Sequence, residues 1–171
     1  MPFSLLPKIQ AKALTDITPE LLRQRQIRLL MLDFDNTIVP YTTDVPTPEM
    51  TAWLEEMNNL TDIQLCIVSN SHKDRVPRFC RERGLACITH ARKPSGKGIR
   101  ACLRKFDIPA SQAALVGDQI YTDTLGANCA GVTSILVDAI SNHNFWLKAR
   151  HVLELPFLFL AGNRRIQNEE S

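Results

Sequence analysis

Two apolar runs that stop abruptly at aspartates constrain this chain most. Ile27-Arg28-Leu29-Leu30-Met31-Leu32 runs into Asp33-Phe34-Asp35-Asn36-Thr37, and Ala113-Ala114-Leu115-Val116 runs into Gly117-Asp118-Gln119-Ile120-Tyr121-Thr122-Asp123. Short apolar runs of this kind read as strands buried on both faces. A third, Ile63 to Val68, ends at Ser69-Asn70, a fourth is expected over 86 to 89, and a fifth over 133 to 137. Helical signals fall between them. Thr18-Pro19-Glu20 and Thr47-Pro48-Glu49 each place a threonine cap, a proline and an acid at a helix start. Further helices are expected near 73 to 83, 97 to 106 and 121 to 130, with Gly84 and Gly131 as stops. Alternating strands and helices of about ten residues imply right-handed crossovers. The expected fold is α/β: three Rossmann-like layers around a mostly parallel five-stranded sheet.

That topology gathers Asp33, Asp35, Asp118 and Asp123 at the carboxyl ends of strands, where open α/β sheets build their sites. Carboxylates so placed repel: two unit charges about 4 Å apart cost roughly 4 kcal/mol at an effective dielectric of 20. A hard divalent cation removes that penalty, and Mg2+ takes one or two carboxylates together with phosphate oxygens and water. The pattern points to metal-dependent phosphoryl transfer.

The 171 residues suffice for one domain with a core, and no repeat, low-complexity segment or linker divides them, so residues 1–171 are expected to form a single domain. The net charge of +2 hides a division. Residues 33 to 62 carry seven acidic and no basic side chains, whereas residues 73 to 105 carry eleven basic and two acidic ones. An acidic end beside a basic strip suits an anionic, phosphate-bearing substrate. Nucleic acid is not the expected partner, because aromatic residues are only 6% of the chain and no stacking pattern accompanies the charges. The five cysteines, at 66, 80, 87, 102 and 129, include no Cys-x-x-Cys and are odd in number. They read as buried reduced thiols of a cytoplasmic or organelle-interior protein. The start lacks the pattern of a secretion signal, and no apolar run approaches the ~20 residues that span a bilayer. His72, His90, His143 and His151 have no metal-ligand spacing and read as surface residues or neighbours of the site rather than ligands.

The four segments, Leu32-Asp33-Phe34-Asp35-Asn36-Thr37-Ile38-Val39, Val68-Ser69-Asn70, Ala91-Arg92-Lys93-Pro94-Ser95-Gly96-Lys97 and Gly117 to Asp123, resemble in order the four motifs of the haloacid-dehalogenase superfamily of phosphohydrolases. Their longer strings resemble its capless branch of bacterial YqeG-like proteins and phosphatidylglycerophosphate phosphatases of mitochondria and plastids. The resemblance implies that Asp33 is the nucleophile and forms an aspartyl-phosphate, with Asp35 as general acid and base. It implies that the Ser69 hydroxyl and the Asn70 backbone N–H bind phosphoryl oxygens, and that Lys93 neutralises their charge. Mg2+ would be held by Asp33, Asp118 and the backbone carbonyl of Asp35, with Asp123 orienting Lys93 or metal-bound water. Asn36 and Thr37 are expected to shape the loop. One departure from the pattern is Ser71, where relatives often carry a second asparagine.

Only 33 residues separate Asp35 from Ser69, which leaves room for one helix and one strand and none for a cap domain. An uncovered site suits bulky substrates, including a lipid headgroup. The ends, residues 1 to 16 and 139 to 171, bear on this. Phe3, Leu5, Leu6, Ile9, Ala13 and Leu14 interleave with Lys8 and Lys12, and Leu155-Pro156-Phe157-Leu158-Phe159-Leu160 precedes Arg164 and Arg165. Each end either contacts a membrane peripherally or packs against the sheet. Three functions stand: a phosphatidylglycerophosphate phosphatase producing phosphatidylglycerol, a soluble sugar-phosphate or nucleotide phosphatase, and a scaffold protein that retains the fold.

Overall fold

The computed structural model describes residues 4–141. The tail from residue 142, including the apolar hexamer at 155 to 160 and the histidines at 143 and 151, lies outside them.

Among the described residues six parallel strands form one sheet: β1 (Ile9–Gln10), β2 (Leu29–Leu32), β3 (Gln64–Val68), β4 (Ala86–Ile88), β5 (Ala113–Gly117) and β6 (Thr133–Leu136), in the spatial order β1-β6-β5-β2-β3-β4. From β2 the chain steps one way to β3 and β4, then returns to lay β5 on the other side. The strand order therefore reverses at β2, and a crevice opens between the carboxyl ends of β2 and β5. The register is shared: Leu32 pairs with Ile67 on one side and with Val116 on the other. Asp33 consequently leaves the sheet level with Val68 and Gly117, tied by its N–H to the Val116 carbonyl at 2.8 Å.

Side-chain alternation along β2 divides the core. Leu30 and Leu32 face one layer, where α2 (Pro48–Asn58) supplies Trp53 and Met57 and α3 (Arg75–Glu82) supplies Phe79. Leu29 and Met31 face the other, where α4 (Lys97–Phe106) supplies Ile99 and Cys102 and α5 (Leu125–Ala130) supplies Ala127. Both predicted threonine caps are present: Thr18 accepts from the Leu21 N–H ahead of α1 (Pro19–Gln24), and Thr47 from the Met50 N–H.

The sheet has six strands where five were expected. The extra one, β1, is two residues long and pairs Ile9 with Ile135 and Gln10 with Leu136. Its length is too short to show an alternation, and its apolar residues read equally well as an amphipathic surface segment. Ile9, Ala11 and Leu14 are buried in the core, Lys8 Nζ donates to the Val132 carbonyl at 3.1 Å, and the Asn128 amide donates to the carbonyls of Ser4 and Leu6. For this segment, packing against the sheet is the outcome. Predicted helix 121 to 130 also divides: a π-helical turn over Ile120–Thr124 precedes α5. All five cysteines are free thiols, but only Cys66, Cys80 and Cys102 are buried; Cys87 is half-buried and Cys129 exposed.

Candidate active site

Lys93 is the hinge of the site. Its ammonium, almost fully buried, lies 2.5 Å from Asp33 Oδ1 and 2.7 Å from Asp123 Oδ1. The two aspartates arrive from opposite sides of the crevice, one directly after β2 and the other from the π-helical turn after β5. Gly117 makes their approach feasible, since a Cβ there would stand 2.4 Å from the Asp123 carboxyl carbon. The second Asp123 oxygen accepts the Gln119 N–H at 3.2 Å, so both its oxygens are engaged.

Burial alone would pull the Lys93 pKa down, yet Asp123 and Asp33 hold it above the ordinary lysine range. Burial pushes Asp123 up to about 6, the Asp33 charge adds to the rise, and Lys93 opposes it. Three acids, Asp33, Asp118 and Asp123, bring one carboxylate oxygen each within 4.8 Å of one another, against a single buried ammonium. An all-oxygen donor set with excess negative charge fits a hard divalent cation. With Asp123 occupied by Lys93 and Gln119, Asp33 and Asp118 are the carboxylates able to hold it. Thr37 steadies Asp118, its hydroxyl donating to Oδ1 at 3.4 Å.

A cavity of about 250 Å³ opens over this centre, its lining including Asp33, Asp35, Ser69, Asn70, Lys93 and Gln119. The buried Ser69 hydroxyl accepts the Ser71 N–H at 3.0 Å, which leaves its own proton to donate into the cavity. Asn70 does more than expected. Its amide donates to the Lys93 carbonyl at 3.0 Å and its oxygen accepts the Lys93 N–H at 2.7 Å, so its side chain fixes the lysine's backbone. Asn36, at φ 64°, ties its loop to Ser141 through both side-chain atoms. His72 is exposed and packs edge-on against His90, ring centroids 4.2 Å apart.

Arg75 went unnoticed in the sequence. From the start of α3 it donates to Asp35 Oδ1 at 3.0 Å and to the Thr43 carbonyl at 2.8 Å, pairs with Asp44 at 2.7 Å, and stacks over Phe34 at 5.1 Å. It fastens Asp35 and the loop after β2 to one point. Burial raises the Asp35 pKa, and Arg75 restrains that rise. In sequence Arg75 is one of eleven cations in a basic strip, and only the preceding acid-rich loop hinted at a partner.

Comparison with known proteins supplies the family. Residues 1–140 match the family model described as mitochondrial PGP phosphatase. The chain is 36% identical over 137 residues to the Bacillus subtilis protein named "Probable phosphatase YqeG", covering 80% of this chain and 79% of that one. It is 25% identical to the Arabidopsis thaliana phosphatidylglycerophosphate phosphatase 1, chloroplastic/mitochondrial, over 91% of this chain but 47% of that protein's length. Among solved structures, the fold is shared with the cobalt-bound deoxy-D-mannose-octulosonate 8-phosphate phosphatase of Haemophilus influenzae, with a TM-score of 0.51, 12% identity, and coverage of 82% of this chain and 92% of that one. The protein is a phosphatase and belongs to the mitochondrial PGP phosphatase family.

Proposed function

We propose that the chain is a Mg2+-dependent phosphatase that converts phosphatidylglycerophosphate to phosphatidylglycerol through an aspartyl-phosphate at Asp33. One observation carries the reading. Asp33 stands at the floor of an open cavity with one carboxylate oxygen held by Lys93, which leaves the other to reach phosphorus.

In the first step an Asp33 oxygen forms a bond to phosphorus as the bond to the leaving alkoxide breaks, and Asp35 gives its proton to that alkoxide. In the second, water attacks phosphorus, its proton passes to Asp35, and the bond to Asp33 breaks to release inorganic phosphate. A carboxyl that is to lose and regain a proton near neutrality benefits from a raised pKa, the direction burial gives Asp35. The Ser69 hydroxyl, the Asn70 N–H and the Lys93 ammonium neutralise charge on the phosphoryl oxygens. Asp33, Asp118 and the Asp35 carbonyl would hold Mg2+, which supplies charge neutralisation and brings the carboxylate and phosphate together. Asp123 acts through Lys93, and Arg75 positions Asp35.

The lipid substrate is supported by the family and by the mouth of the cavity. Between Asp35 and Ser69 the named elements are α2 and β3, which supports a cavity open enough for a diacyl group to remain outside. The test is phosphate release from phosphatidylglycerophosphate in micelles against a panel of soluble sugar phosphates and nucleotides. A strong preference for the lipid is expected. Preference for a soluble monoester would return the protein to the second reading.

A further inference from the structure

The cavity over Asp33 carries a polar clasp that the chemical steps leave without a role. Tyr41, from the loop between β2 and α2, and Gln119, directly after β5, both line it. They touch: the Gln119 amide donates to the Tyr41 hydroxyl at 3.3 Å, and the Gln119 side-chain oxygen accepts the Thr122 hydroxyl at 2.9 Å. Both sides of the clasp are held in place. Two and three residues beyond Tyr41, Arg75 donates to the Thr43 carbonyl at 2.8 Å and pairs with Asp44 at 2.7 Å. The Gln119 carbonyl accepts the N–H groups of Asp123 and Thr124 at 2.9 and 3.2 Å. Tyr41 is 41% exposed and Gln119 half-buried, whereas Asp33 and Lys93 are buried, so the clasp stands outward of the reacting carboxylate.

A continuous run of contacts ties the clasp to Asp33. The Gln119 N–H meets one Asp123 oxygen at 3.2 Å, Lys93 Nζ lies 2.7 Å from the other, and the same ammonium lies 2.5 Å from Asp33. Among the described residues lining the cavity, Lys93 is the only cation, and two aspartates already share its charge. Outward of it the lining offers neutral hydrogen-bonding groups, on Tyr41, Ser71, Gln119 and Thr122. A glutamine amide has two hydrogens to donate and an oxygen with two lone pairs. Gln119 commits one of each to the clasp, and among the described residues the others have no partner. Such groups match the hydroxyls of an alcohol, and a bare alkyl chain beside them would leave them unpaired.

We propose that Gln119 and Tyr41 are specificity-determining residues, which hydrogen-bond a hydroxyl of the leaving alcohol while its phosphoryl group reacts at Asp33. The inference rests on the phosphatase reading of this cavity and adds the residues that read the leaving group. The ligand chemistry is a phosphomonoester of a hydroxylated alcohol, presented either by a lipid headgroup or by a free polyol phosphate. Gln119 acts through its side chain here, separately from the backbone N–H that steadies Asp123.

The test compares wild type, Gln119→Leu, Tyr41→Phe and the double variant, with thermal melts to establish folding. Leucine keeps the backbone N–H to Asp123, and phenylalanine keeps the ring. Two substrate pairs differ by hydroxyl content: glycerol 3-phosphate against propyl phosphate, and phosphatidylglycerophosphate in micelles against its analogue with propanediol in place of the terminal glycerol. Wild type should favour the hydroxylated member about tenfold in kcat/KM, the scale of one or two neutral hydrogen bonds. Gln119→Leu should bring that ratio within about twofold of unity through KM. Tyr41→Phe should lower it less, and the double variant no further than Gln119→Leu, since the two side chains act as one unit. A wild type without preference, equal losses on both members of a pair, or losses that add in the double variant overturn the proposal. Lipid hydrolysis without preference keeps the lipid reading and removes the clasp. Preference within the soluble pair, with neither lipid hydrolysed, keeps the clasp and removes the lipid reading. Hydrolysis of no phosphomonoester removes both.

Discussion

Asp33 and Asp35 are two residues apart and have opposite partners. Asp33 meets the buried ammonium of Lys93, whereas Asp35 turns to the guanidinium of Arg75. The division predicts separable defects. Asp35→Asn should cut turnover of alkyl phosphates at least a hundredfold, the usual scale of lost general acid–base catalysis, while Mg2+ affinity by calorimetry stays near wild type. Asp118→Ala should weaken Mg2+ binding first; the reverse order of Mg2+ losses would remove these assignments. Arg75→Gln should lower kcat about tenfold on alkyl phosphates and much less on 4-nitrophenyl phosphate, whose leaving group needs no proton. Because Arg75 restrains the rise of the Asp35 pKa, its removal should also move the alkaline limb of the alkyl-ester profile to higher pH. Equal losses on both esters with an unmoved limb would make Arg75 merely structural.

At the scale of elements, the apolar runs and threonine caps made β2, β3, β5, α1 and α2 legible, because burial and capping act locally. The candidate site was legible where motif and strand end coincide, as at Asp33, Ser69 and Asp118. What depends on distant partners was not. Strand β1 exists only because β6 offers an edge, Arg75 acquires its role from Asp35 and Asp44 some thirty to forty residues earlier, and the Asn70 side chain from Lys93. Two substitutions examine such contacts. Ile9→Ala should destabilise the fold by about 2–4 kcal/mol in urea, as a buried core residue would, and a surface value near zero would mean that β1 does not pack. Gly117→Ala should push Asp123 off Lys93 and reduce turnover on every phosphomonoester with little loss of secondary structure. Unaltered kinetics would show that the Lys93–Asp123 contact is dispensable.

For the whole molecule, the carboxylate cluster couples stability to pH and to metal. Asp123, at about 6 in the fold, stands above the ordinary aspartate value of roughly 3.9. The folded state therefore holds a proton that the unfolded chain has released. The resulting stability is complete below about pH 4 and lost as pH rises through about 6. In chelator, the melting temperature of wild type relative to Asp123→Asn should fall across that window, and Mg2+ should recover wild type most above pH 6. A flat difference between the two proteins would mean that burial does not hold the Asp123 carboxyl above its ordinary range. The covalent step itself is tested most directly by reduction. Borohydride converts an aspartyl-phosphate to homoserine, so protein quenched during turnover of phosphatidylglycerophosphate and digested for mass spectrometry should carry homoserine at position 33 and at no other aspartate. Phosphate release with Asp33 unmodified, or with homoserine at Asp35 or Asp118 instead, would contradict the account.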